Sequence, residues 1–200
     1  SNYEHPAILK VLPYLKEKGV EISLVKPNKN GIIQPEAVEQ EIKENTRLIS
    51  IMHVNNELGT INPISKIARI SHEKGILFHS DAVQALGKIP LNLDTMPADF
   101  ISMSAHKLYG PKGVGALFIR KGAPLKPLIY GGGQEHNLRA STENIAGIAG
   151  FGMAVELAAM SLEENSQHIS RLEIHLLSLL DERKIEYKIN GVERVPGVFN

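Results

Sequence analysis

The chain has 200 residues, 42% of them hydrophobic and 22% charged, a composition that supplies a sizeable core and argues against disorder. Lysine plus arginine number 22, as do aspartate plus glutamate, so no basic excess points to nucleic acid and a small neutral substrate fits better. Cysteine is absent, which excludes a disulfide framework and any thiolate metal site and suits a reducing, cytoplasmic compartment.

The first stretch, "HPAILKVLPYLKEKG", predicts one helix with proline at its opening position and Gly19 as its stop. "VEISLVKP" reads as a short strand, "NKNG" as a turn, and "QPEAVEQEIKEN" as a polar amphipathic helix. The β-rich "TRLISIMHV" follows. After the loop "NNELGTINP", "ISKIARISHEKG" repeats the helix-then-glycine pattern and leads into "ILFHSDA", an apolar run closed by an aspartate. "ADFISMSA" and "GVGALFIR" are two further strands around a glycine-rich turn. Strands alternating with helices imply an α/β fold whose largely parallel sheet is covered on both faces.

"IAGIAGFGMAV", from Ile145 to Val155, reads as a buried helix of small residues, too short for a bilayer, so no membrane association is expected. In "SLEENSQHISRLEIHLLSLLDERK", Ile169, Leu172, Leu176 and Leu179 recur at helical spacing opposite a charged face, as in a connecting helix. "IEYKING" then reads as the opening of a strand in a second domain. The expected division is a large domain over 1–160 and a connecting helix with the start of a small domain over 161–200. The N-terminus carries no signal pattern and opens on Ser1, so a chain cut from a longer protein is expected.

In open α/β sheets ligands gather beyond the carboxyl ends of the strands. Four stretches follow strand patterns there: "HVNNE" with Asn55 and Asn56, "HSDAVQ" with Asp81 and Gln84, "SAHK" with Ser104, His106 and Lys107, and "GGGQEHNLRAST" ending at Thr142. Each also has a plain role. Paired asparagines form turns, an aspartate after a strand caps a helix, and a single lysine is usually a solvated charge. His53, His72, His79, His136, His168 and His175 show no metal-ligand spacing, so no metal site is expected.

Taken together, these residues suit one chemistry. A lysine amine at a desolvated strand end beside His106 can lose its charge and attack an aldehyde. Asp81 can hold a pyridinium nitrogen protonated, and Ser104 and His106 can hold a phosphate, so the implied cofactor is pyridoxal 5′-phosphate. "GPKGVG" is not a nucleotide-binding loop: it lacks the G-x-x-x-x-G-K-[ST] arrangement, and it precedes a strand rather than a helix.

"EHPAIL", "MHVNNELGTINPI", "FHSDAVQALGKIPL", "SMSAHKLYGPKGVGALFIRK" and "GGGQEHNLRASTEN" resemble, in order and spacing, the signature blocks of the NifS/IscS-type cysteine desulfurases, aminotransferase class V enzymes of the fold type I pyridoxal phosphate class. The resemblance covers nearly the whole chain. It implies that Lys107 carries the cofactor and shuttles the substrate α-proton, that Asp81 pairs with the pyridine nitrogen, and that Gln84 bonds the phenolic oxygen. It further implies that His5 stacks on the ring and assists proton transfer, that Asn56 lies by substrate and cofactor, that Ser104 and His106 bind the phosphate, and that Thr142 reaches the phosphate of a neighbouring subunit in a homodimer.

The family reaction converts L-cysteine to L-alanine and leaves sulfur as a persulfide on an enzyme cysteine, for delivery to acceptors such as an iron–sulfur scaffold or thionucleoside pathways. This chain departs from the pattern in having no cysteine, so the sulfur-accepting residue and the substrate-carboxylate arginine are expected beyond Asn200, and this portion alone is expected to be inactive. A selenocysteine lyase, another class V enzyme, or a non-catalytic scaffold that binds sulfur-transfer partners are the alternative readings.

Overall fold

The computed structural model describes residues 1–200. Its first helical stretch is two short helices, α1 (Pro6–Leu9) and α2 (Leu12–Glu17), rather than one. Pro13 is the cause: it has no N–H to donate to the Leu9 carbonyl, and its ring crowds that carbonyl. Pro6 opens α1 as expected, and His5 caps it, its Nδ1 accepting from the Ala7 N–H at 3.1 Å. The predicted strand over "VEISLVKP" is absent; residues 20–27 belong to no strand or helix. Of the segment's carbonyls, that of Val25 takes a bond from Asn2 N–H, and a groove separates residues 20–25 from the sheet, so no ladder forms.

The "NKNG" turn forms, closed by Gly31 N–H donating to Asn28 C=O, and Gly31 takes φ 79° there. Helix α3 (Pro35–Gln40) leads to strand β1 (Leu48–Ser50), helix α4 (Ile64–Glu73), and strands β2 (Leu77–Asp81), β3 (Phe100–Ser104) and β4 (Gly115–Ile119). The chain closes with helices α5 (Ile145–Met160) and α6 (Leu162–Glu182). The strands lie in the order β1-β2-β3-β4, with β1, β2 and β3 parallel and β4 antiparallel to β3. Beyond β1 and β2 the pairing continues toward the rim, through Ile51 N–H to His79 C=O, His53 N–H to Asp81 C=O, and Ala82 N–H to Ser102 C=O.

Helix α4 follows its sequence pattern, burying Ile64, Ile67, Ala68 and Ser71 at positions i, i+3, i+4 and i+7. These side chains meet Ile49, Ile51, Phe78 and Ile101 from one sheet face, with Ile33 and Val38 alongside. On the other face, His79 Nδ1 meets Ser50 Oγ at 2.8 Å and Nε2 meets Ser102 Oγ at 2.9 Å, so one ring joins three strands. At the opposite end from the rim, buried Asp99 accepts from Phe78 N–H, His72 and Arg120. Burial alone would raise its carboxyl, but these donors outweigh it and hold the group below its ordinary value.

Helix α5 departs from its predicted burial. Only Gly147, Phe151 and Ala154 are buried, while Ile145, Ile148, Met153, Leu157 and Met160 are exposed. Its small residues serve a close approach rather than a full core: Ala154 and Phe151 cluster with Ala105 and Leu108, and a Cβ on Gly150 would fall 2.6 Å from Pro111 Cγ. Helix α6 buries none of its residues. Residues 185–190 form no strand. The tail that follows returns to the main core: Ile61 N–H bonds Glu193 C=O, Val195 is buried in the cluster, and Arg194 pairs with Glu173 of α6 at 2.7 Å. No single helix is long and apolar enough to cross a membrane.

Candidate active site

The carboxyl ends of β2 and β3 bring the site residues to adjoining strand ends, because the two strands are parallel and Asp81 is in register with Ser102. Asp81 closes β2. Its Oδ1 accepts from Val83 N–H at 2.9 Å, an Asx-turn that starts the next loop and leaves Oδ2 available. Gln84 sits in that loop, half-buried, and its Oε1 accepts from the ammonium of Lys88.

Ser104 closes β3, and its Oγ lies 2.7 Å from His106 Nδ1, a pairing of hydroxyl and imidazole on the rim. Lys107 follows on a 3₁₀ turn, Ala105–Leu108, with its side chain exposed. The turn ends at Tyr109 in the left-handed region, φ 61°, and Gly110 N–H closes it onto Ala105 C=O. Two buried residues, Ala105 and Leu108, anchor the turn on α5, so the lysine projects from a fixed base. Gly115 is required beneath it, since a Cβ there would fall 2.6 Å from Met103 C=O.

The asparagine pair divides its work. Asn55 is buried: its Nδ2 donates to Tyr3 C=O at 2.9 Å and its Oδ1 accepts from Glu57 and Leu58 N–H. It thereby ties the segment carrying His5 to the loop after β1. Asn56 is half-exposed and donates to Glu57 Oε1. His53, just before the pair, is buried and neutral, its imidazole pushed down to about 4 by burial.

His5 is exposed, and its Nδ1 is taken by the helix cap, which leaves the proton on Nε2. Thr142 is exposed at the end of a loop with positive φ at Glu135, His136, Asn137 and Ser141. The residue that sequence reasoning missed is Lys88. It and Lys107 line one cleft of about 870 Å³, between the lysine turn, α5, α6 and Pro196–Val198. Burial, and then the Lys107 charge, push the Lys88 ammonium below its ordinary value. Its signal was the Gln-x-x-x-Lys spacing, which brings two side chains together only if the loop coils.

A mainly parallel sheet with helices packed on it is the fold of the NifS-like, fold type I enzymes. A solved NifS-like protein superposes with a TM-score of 0.92 at 41% identity, over 97% of this chain and 54% of that one. A second structure, SspA in complex with cysteine, gives 0.76 at 44% identity, over 78% of this chain and 46% of that one. The aminotransferase class-V family matches residues 1–200, and the chain belongs to that family. It is 44% identical over 202 residues to the cysteine desulfurase IscS of Dictyoglomus turgidum, covering 100% of this chain and 51% of the relative. The chain thus spans about half the length of the curated relatives it matches.

Proposed function

We propose that this chain carries the cofactor-binding portion of a pyridoxal phosphate-dependent cysteine desulfurase. The observation that carries the reading is the juxtaposition of Asp81, the Ser104–His106 pair and Lys107 on two adjacent parallel strand ends. Its donor set fits the cofactor: an amine for the aldehyde, a carboxylate for the ring nitrogen, and a hydroxyl with an imidazole for the phosphate. Bound pyridoxal 5′-phosphate would supply an aldehyde and an electron-withdrawing ring.

This chain's residues would do the rest. Lys107 would hold the cofactor through its ε-amine and move the proton of the substrate α-carbon. Asp81 would keep a proton on the ring nitrogen through its available oxygen, the other being committed to Val83 N–H. Ser104 and His106, already in contact, would donate to phosphate oxygens, and Gln84 would face the phenolic oxygen. His5 and Asn56 would border the ring and the substrate, His5 offering its Nε2 proton. Thr142, exposed on its loop, would serve the phosphate of the second subunit in a homodimer.

The overall reaction would take L-cysteine and an enzyme thiol to L-alanine and an enzyme persulfide: the Cβ–S bond breaks, an S–S bond forms, and the sulfur passes to an acceptor such as an iron–sulfur scaffold. Resemblance to IscS-type enzymes and to a relative solved with cysteine supports that substrate. The thiol must come from outside this chain, which has no cysteine. The lack of cysteine also suits a reducing, cytoplasmic setting.

The test is spectroscopic. Full-length protein given pyridoxal 5′-phosphate should develop a visible band that Lys107→Ala abolishes, and should release alanine from cysteine. A band that survives Lys107→Ala would remove the assignment.

A further inference from the structure

Resting on the pyridoxal phosphate reading, we propose that Lys88 is a positioning residue that fixes which end of the Gln84 amide faces the cofactor. The argument is one of donor and acceptor inventory. An ammonium has three donors and no acceptor, so the Gln84 atom it touches must be the carbonyl oxygen. With that oxygen engaged, the amide NH₂ is turned the other way, and Gln84 offers only donors outward. An unrestrained glutamine presents either end by a half-turn of its last torsion. A phenolic oxygen that has lost its proton accepts hydrogen bonds, so only one of those two orientations suits it.

The surroundings support a dedicated role. No carboxylate lies within ion-pair distance of Lys88, so this half-buried ammonium has Gln84 as its side-chain partner. Lys107 is the charged group that acts on it, and both line the same cleft. The loop carrying Gln84 and Lys88 is held in shape by Ala85 N–H to Ala82 C=O and Lys88 N–H to Ala85 C=O, each 3.0 Å. Burial of Ala85 and the tight seating of Gly87 against Leu108 complete it.

The experiment titrates the visible band of the full-length, cofactor-loaded protein against pH. A donor on the phenolic oxygen weakens that oxygen's hold on the proton it shares with the Lys107 linkage, so losing the donor raises the midpoint. Lys88→Met and Gln84→Leu should each raise it by roughly half to one pH unit, the worth of one hydrogen bond. The double variant should rise no further than Gln84→Leu alone, because Lys88 acts through Gln84. Lys88→Arg, which keeps charge and donors, should titrate close to the parent. Shifts that add in the double variant would assign Lys88 a simple through-space charge effect and overturn the proposal, as would an unmoved midpoint in Lys88→Met. Should Lys88→Met fail to fold, Lys88→Gln, which loses the charge and can bond either end of the amide, is expected to show the same rise. A parent protein with no band, or one whose band survives Lys107→Ala, defeats the cofactor reading itself, and the role of Lys88 falls with it.

Discussion

Gly87 and Gly75 form a matched pair that separates backbone strain from crowding at the lysine turn. Both have positive φ, 73° and 67°, so alanine at either position meets the same left-handed penalty of about 1–2 kcal/mol. Their surroundings differ. A Cβ on Gly75 meets nothing within 4 Å, whereas one on Gly87 would intrude on Leu108 Cδ2 and sit 3.1 Å from Ala158 Cβ. Leu108 is buried against Phe151 and Ala154, so overpacking there adds about 1–3 kcal/mol. Gly75→Ala should therefore cost about 1–2 kcal/mol and Gly87→Ala about 2–5 kcal/mol. Equilibrium urea unfolding of the two full-length variants, followed by circular dichroism, measures the difference. Because Leu108 adjoins Lys107, Gly87→Ala should also weaken cofactor affinity, read from the visible band, while Gly75→Ala leaves it unchanged. Equal losses of stability in the two variants would refute the packing argument.

Phe78 lies fully buried between α4 and the sheet, so Phe78→Ala should destabilise by about 3–5 kcal/mol, measured by the same unfolding experiment. On the proposed reading Ser104 is a phosphate donor, so Ser104→Ala, which also removes the hydroxyl paired with His106, should weaken cofactor binding about 10-fold or more without loss of fold, measured by equilibrium titration of apoprotein. His53 is neutral in the folded state, with a value of about 4 against an ordinary 6.5. Its contribution is therefore complete above pH 6.5 and declines as pH falls toward 4, by up to about 3 kcal/mol, because only the unfolded chain takes up the proton there. His53→Leu should flatten that part of a stability–pH profile. Asp99 has a depressed folded value, so its stabilising effect is present above the ordinary carboxylate range and is lost as pH falls through the folded value. Arg120→Met should accordingly move acid unfolding to higher pH, read as the midpoint of an acid titration.

What could be read from the sequence follows from how local the cause is. The rim residues were legible because parallel strands present their following residues on one edge, and Asp81 and Ser104 each end an apolar run whose length and composition are local facts. Helix α4 was legible for the same reason, its buried stripe being written at helical spacing. The strand expected over 20–27 was not, because a strand exists only against a neighbour, and these residues face a groove rather than a ladder. Helix α5 misled in the opposite sense: its uniform apolar content carries no direction, and only contact with Ala105, Leu108 and Pro111 decides which stripe is covered. Pro13 is a local cause of a different kind, since its missing N–H splits the first helix from within the sequence itself. Lys88 lies between these cases. Its four-residue distance from Gln84 is visible in the sequence, but the loop is no regular helix, and the meeting depends on Gly87 folding the chain back onto Leu108. The geometry of the site therefore rests on a glycine that carries no chemistry, which is why the Gly87→Ala and Lys88→Met variants should both register at the cofactor although neither removes a group that touches it.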